Sequence, residues 1–137
     1  MELTQSDHHL IERAKETITK YFSPKHHRLA TCILTKSGEI IIGINVEGSF
    51  GCNDVCAEQI ALGNVLSQGI KDIACMVTIK HPKAEDQNQS LRVVSPCGKC
   101  RELILDYAPE AFVIVKDEIT LKKVSAIELL PYRYVKS

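Results

Sequence analysis

The sequence predicts an α/β protein in which a mixed β-sheet carries helices on its faces. Three observations lead there. Segments with apolar residues at helical spacing alternate with short β-branched runs. One of those runs, IACMVTIKH, is apolar almost throughout, as suits a central strand covered on both sides. Only one connection, PKAEDQNQSLR (82–92), is long and polar.

Taken in order, residues from about Thr4 to Phe22 form the first helix. Leu10, Ile11, Ala14, Ile18 and Tyr21 recur there at helical spacing, and Pro24 in SPKHHR ends it. LATCILTK and EIIIGINVE read as two strands around the turn KSGE, an antiparallel hairpin. From Cys56 to about Gln68 a second helix places Ile60, Ala61, Val65 and Leu66 on one face. IACMVTIKH is the central strand. Beyond the 82–92 loop, VVSPCGKCRELILDYAP reads as a short strand, a proline turn and a third helix. AFVIVK and ITLKKV are strands, and SAIELLP is a closing helix. Ser125 and Glu128 there have capping-box spacing, and Pro131 marks the stop. No internal repeat interrupts the chain, and its 137 residues suit one domain, 1–137, with a real core.

Seventeen basic residues balance seventeen acidic ones, so no overall field favours a polyanion, and a nucleic-acid polymer is not the expected partner. The opening MELTQSDHHLIERAKE is polar, unlike a secretory leader, and no apolar run approaches membrane-spanning length. A cytoplasmic setting is the expectation. Six cysteines in a reducing compartment then read as buried small residues, metal ligands or redox groups rather than disulfides.

Cys32 and Cys75 fall inside strand patterns and read as core residues. Cys56, Cys97 and Cys100 fall at predicted helix starts, where backbone N–H groups and the helix dipole favour thiolate. Two helix N-termini leaving one sheet edge can bring all three sulfurs around a tetrahedral ion. Three protein ligands with an open fourth position mark a catalytic zinc, whereas a structural one wants a fourth, for which Cys52 in CNDVC is the near candidate. Glu58, two residues after Cys56, reads either as a solvated residue suiting the helix dipole or as a proton carrier beside the metal.

The pair Cys-Ala-Glu (56–58) and Pro-Cys-Gly-Lys-Cys (96–100) resembles the cytidine deaminase family in its short three-cysteine form. The resemblance runs over nearly the whole chain and is closest to the blasticidin-S deaminase branch. It implies a three-layer α/β/α sandwich with a mixed five-stranded sheet. It implies one Zn²⁺ per chain on Cys56, Cys97 and Cys100, with Glu58 as proton shuttle. The reaction implied is hydrolytic deamination of a small-molecule cytosine nucleoside to the uracil nucleoside plus ammonia, by a homotetramer. Blasticidin S is the alternative substrate, and a non-catalytic zinc module is the alternative of another class. GINVEG resembles the family's Asn-x-Glu stretch and carries sugar-hydroxyl binding over to Asn45 and Glu47. Residues i and i+2 of a strand point the same way, so the two polar groups can converge on a diol.

Departures fall around the nucleoside, not the metal. Gly48 and Gly51 stand where the family continues with Asn and Tyr, Gln59 where it has Arg, and His27 where an aromatic is expected. Lys99 and Arg101 place positive charge near the sulfurs. Tyr134 stands where the family often has an aromatic that closes a neighbouring subunit's site.

Overall fold

The computed structural model describes residues 1–137. A twisted mixed sheet is covered on one face by α1 (Gln5–Tyr21) and on the other by α2 (Ala57–Ser67) and α3 (Gly98–Tyr107). Five strands run in the order β2 (Ile40–Ile44), β1 (Leu29–Thr35), β3 (Ile73–Lys80), β5 (Phe112–Lys116) and β6 (Leu121–Ser125). A sixth, β4 (Arg92–Val94), pairs only with β3.

The hairpin forms as the KSGE turn requires. Gly38 takes φ 95°, a left-handed conformation open to glycine, and Thr35 and Glu39 close the turn by backbone bonds. The central strand has two neighbours along one edge. Its first half pairs parallel with β5 (Cys75 opposite Phe112, Val77 opposite Ile114), and its second half antiparallel with β4 (Thr78 opposite Val94). Where β4 gives way, the chain turns at Pro96 out of the sheet and into α3. That exit places Cys97.

Alternation on β3 divides the core. Cys75, Val77 and Ile79 pack beneath α1 with Leu10, Ile11, Ala14 and Ile18. Met76 faces the other way, with Ile33, Ala61, Leu62, Val65 and Ile104. Burial pushes the Cys32 thiol up to about 11 and that of Cys75 to about 12, so both are inert core residues. Tyr21, placed on the inner face of α1 by spacing, is instead largely exposed at the helix end. On α2 the inner face is Ala57, Glu58, Ala61, Leu62 and Val65, while Leu66 turns outward. The closing SAIELLP segment forms only a 3₁₀ turn, Ala126–Leu129, capped by Ser125 and Glu128 as their spacing requires.

α2 lies close on β2 because Gly43 has no side chain. A Cβ there would stand 2.3 Å from the Ala61 backbone nitrogen. The start of α1 is fixed by Thr4 and Asp7, which cap each other, and Lys123 reaches the same Asp7 oxygen at 3.1 Å.

Candidate metal centre and active site

Cys56 is the N-cap of α2 and Cys97 the N-cap of α3, with Cys100 in the first turn of α3. The three sulfurs lie within 4.8 Å of one another, and those of Cys56 and Cys97 are 3.9 Å apart. Sulfurs at tetrahedral positions around zinc stand about 3.8 Å apart, given Zn–S bonds of about 2.3 Å, so the trio fits that ion. Cys52 is not among them; it is exposed on the 3₁₀ turn Gly51–Asn53, against Asn53. The cluster thus has three thiols, which leaves a tetrahedral ion one position for a non-protein ligand.

Burial pushes the Cys100 thiol far up, and Glu58 and the neighbouring sulfurs push the same way. Burial also raises Cys56, partly offset by a hydrogen bond with Cys100. At Cys97 burial again opposes ionisation, but the Cys100 N–H and hydrogen bonds with the other two thiols outweigh it and bring this thiol below its ordinary value. Three thiolates form together only with a cation, which displaces protons as it binds.

Glu58 sits in the first turn of α2, only 5% exposed. Burial raises its carboxyl, while its own backbone N–H and the Thr78 hydroxyl offset part of the rise. It borders a cleft of about 210 Å³ together with Cys56, Cys97, Asn45, Glu47 and Leu29. Two of the three thiols, the carboxylate and the Asn-x-Glu pair therefore share one cleft, while the third thiol, Cys100, is buried outside its lining. Asn45 and Glu47 lie just past the end of β2, where a bridge between Val46 and Val55 keeps the chain extended. Asn45 Oδ1 accepts the backbone N–H groups of Arg28 (2.8 Å) and Leu29 (2.9 Å), and its Nδ2 donates to Glu47 Oε1 at 3.4 Å. Arg28 Nε donates to that same oxygen at 3.1 Å. The second Glu47 oxygen has no such bond.

Residues 4–116 match the family described as the cytidine and deoxycytidylate deaminase zinc-binding region. The chain belongs to the cytidine and deoxycytidylate deaminase family. It is 42% identical over 98% of its length to the blasticidin-S deaminase of Bacillus cereus, covering 96% of that protein. It is 27% identical to a cytidine deaminase of Halalkalibacterium halodurans over 81% of this chain and 80% of that one. Among solved structures, a cytidine deaminase from Burkholderia pseudomallei superposes with a TM-score of 0.74 at 26% identity, over 96% of this chain and all of the other. The protein is accordingly a zinc-dependent hydrolytic deaminase.

Within this deaminase the departures have physical readings. Gln59 accepts the Cys56 N–H at 3.0 Å, bracing the first ligand through the main chain. Arg101 spends its guanidinium on carbonyls: Nε on Pro96 (2.8 Å) and an Nη on Leu129 (3.1 Å), which pins the proline turn rather than the sulfurs. His27 does not border the cleft. Its Nδ1 lies 2.8 Å from the Asn45 carbonyl, and His26 bonds the Glu47 carbonyl in the same manner, so the histidines hold the Asn-x-Glu segment from behind. Tyr134 is 84% exposed and away from its own chain's cleft. Sequence reasoning missed Arg28, Thr31 and Thr78. The two threonines left a signal, as polar residues standing inside apolar strands.

Proposed function

We propose that the deaminase acts on free cytosine nucleosides, cytidine or deoxycytidine, with Glu58 carrying protons and Asn45 and Glu47 on the sugar side. One observation carries the reading: a buried carboxylate and an Asn-Glu pair border the same cleft as two of the three clustered thiols. When bound, zinc supplies Lewis acidity that makes water a competent nucleophile near neutral pH. Glu58 takes a proton from the attacking water and passes it to ring N3, which activates C4. The water oxygen bonds C4 as the C4=N3 double bond gives way. The carboxylate then takes the remaining proton of that added hydroxyl and hands it to the amine, the C4–N bond breaks as C4=O forms, and uracil nucleoside and ammonia leave. The unengaged Glu47 oxygen is the acceptor for a sugar hydroxyl, while Arg28 holds the other.

A second reading, blasticidin S as the substrate, is favoured by the 42% identity over nearly the full chain. Values of kcat/KM for cytidine, deoxycytidine and blasticidin S, measured side by side, separate the two. Full zinc with turnover of none of the three would leave a non-catalytic zinc module. Cytosine in an oligonucleotide should not be deaminated, since the chain is neutral overall.

We also infer a cytoplasmic homo-oligomer, a tetramer by family resemblance. Phe50, Ile127, Tyr132 and Tyr134 expose apolar surface that a lone chain gains nothing by showing to water. Light scattering at a single-chain mass would end that inference. Cys100→Ala should abolish zinc binding and activity, and lower stability because metal binding is coupled to folding. Retention of about one zinc per chain in that variant would remove Cys100 from the ligand set.

A further inference from the structure

Three cations gather where β1, β3 and β4 end beside the cleft. In the register of these strands Thr31, Thr78 and Val94 form one row, and Leu29, Lys80 and Arg92 form the next. Residues two apart on a strand point to the same face. Lys80 and Arg92 therefore share a face with Leu29 and Val94, both of which border the cleft. Their row lies about 7 Å along β4 from Val94. Arg28, the third cation, precedes Leu29, and its Nε holds Glu47 Oε1 at 3.1 Å. Leu29 donates its N–H to the Asn45 side chain, so the cations adjoin the Asn-Glu end of the cleft.

No acid answers these charges. Lys80 and Arg92 form no ion pair and no side-chain hydrogen bond, and Arg28 engages only its Nε, which leaves both Nη groups free. Lys80 is half-buried, and its ammonium is held below its ordinary pKa by burial, then by Arg92, Arg28 and Lys83. Asp86 alone pulls the other way, and the Lys83 backbone N–H takes one of its oxygens. Like charges directly opposite on paired strands destabilise a sheet, and Lys80 and Arg92 are such a pair. An anion between them turns that repulsion into charge-assisted contacts.

We propose that Lys80, Arg92 and the Nη groups of Arg28 form a subsite for an anionic group on the substrate's sugar, a phosphate ester or a carboxylate. The inference rests on the cytosine-nucleoside reading of the cleft and narrows it. With Asn45 and Glu47 on the ring hydroxyls, the exocyclic 5′ carbon is the position left to carry the anion. A 5′-phosphate also occurs within an oligonucleotide. Binding a polymer takes a basic groove that tracks several phosphates, and a chain of seventeen bases and seventeen acids with one such cluster does not provide it. The partner is a small molecule.

The test compares kcat and KM of the zinc-loaded protein on cytidine, cytidine 5′-monophosphate and cytidine 5′-carboxylate. Wild type should favour one anionic substrate over cytidine by about tenfold in kcat/KM, and which one it is separates phosphate from carboxylate. Lys80→Gln and Arg92→Gln should each cut that preference about threefold, as suits partly exposed ion pairs, and the double variant should erase it. The change should fall on KM, and added salt should erode the wild-type preference. Tm should hold or rise in each variant, because one of two opposed like charges is gone. Equal kcat/KM on all three substrates in wild type, or a preference that survives in the double variant, overturns the subsite and leaves the nucleoside reading in place. Faster deamination of a trinucleotide with central cytidine than of the monophosphate assigns the cations to a polymer and overturns the subsite too. Turnover of none of the three substrates overturns both readings.

Discussion

Two buried carboxylates in this deaminase have opposite fates. Asp7 is 1% exposed and Glu58 5%, so burial acts against ionisation in both. At Asp7 the Thr4 backbone N–H, the Lys123 ammonium and the Thr4 hydroxyl overturn that effect, and the carboxyl sits below its ordinary value. At Glu58 no cation answers the burial, and the carboxyl sits above its ordinary value. The first is a satisfied anion that clamps the start of α1 to β6. The second is held in a state from which it gains by accepting a proton. A buried acid is structural or chemical according to its partners, not its depth.

The largest effect should come from Glu58→Gln. The amide keeps the shape but neither accepts the water's proton nor delivers one, so kcat should fall by about 10⁴ or more, at or beyond the upper end for general acid–base assistance. Stability should not fall with it. A raised folded-state pKa means that keeping Glu58 ionised opposes folding at pH values above the unfolded-state value near 4.3, and glutamine removes that opposition. Calorimetry at neutral pH should show a Tm at or above wild type, with the two proteins converging below about pH 4. A lower Tm at neutral pH would place Glu58 in the same class as Asp7.

Asp7→Asn should do the reverse. Leaving the Lys123 ammonium without its partner should cost about 3 kcal/mol of stability in denaturant unfolding, with kcat/KM unchanged. Here the folded-state pKa is depressed, so the stabilisation is present above the unfolded value near 3.9 and is lost as pH falls through the folded value. The acid limb of the stability curve should therefore flatten in Asp7→Asn. An unchanged acid limb would show that Lys123 and Thr4 do not hold Asp7 as an anion.

Gly43→Ala tests how the catalytic side is seated. The new methyl would strike the Ala61 backbone, so α2 must shift and carry Cys56 and Glu58 with it. The expected loss is about 1–3 kcal/mol of stability, together with weakened zinc retention on dialysis against a chelator. Destabilisation with undisturbed zinc would mean that β2, not α2, absorbs the strain.

What the sequence made legible follows from how local each signal is. The thiols were readable because each stands at a helix start within a compact phrase, and Glu58 because it is two residues from Cys56. The five longer strands were readable as apolar or β-branched runs, though their order in the sheet was not. By contrast, β4 was readable as a short strand, but at three residues it fell outside the five-stranded sheet that the resemblance implied. On α2 apolar residues lie on several sides, so spacing alone exchanged Leu66 for Leu62. Neither the 2.6 Å contact between Thr31 and Thr78 nor the hold of Arg28 on Glu47 has a local trace, since each joins segments that only the folded sheet brings together. His27, which stands where the family has an aromatic, bonds a main-chain carbonyl instead of bordering the cleft, a contact no side-chain pattern reveals.

The depth of Cys100 carries one more consequence. This ligand has no solvent exposure, and it belongs to a different helix from Cys56. An ion bound here cannot shed its ligands one at a time into water while the chain keeps its shape; the first turn of α3 must lift for the last sulfur to let go. Metal exchange then becomes a clock for that opening. With enough competing chelator, the rate of zinc loss should stop depending on chelator concentration and report the opening frequency of α3 itself.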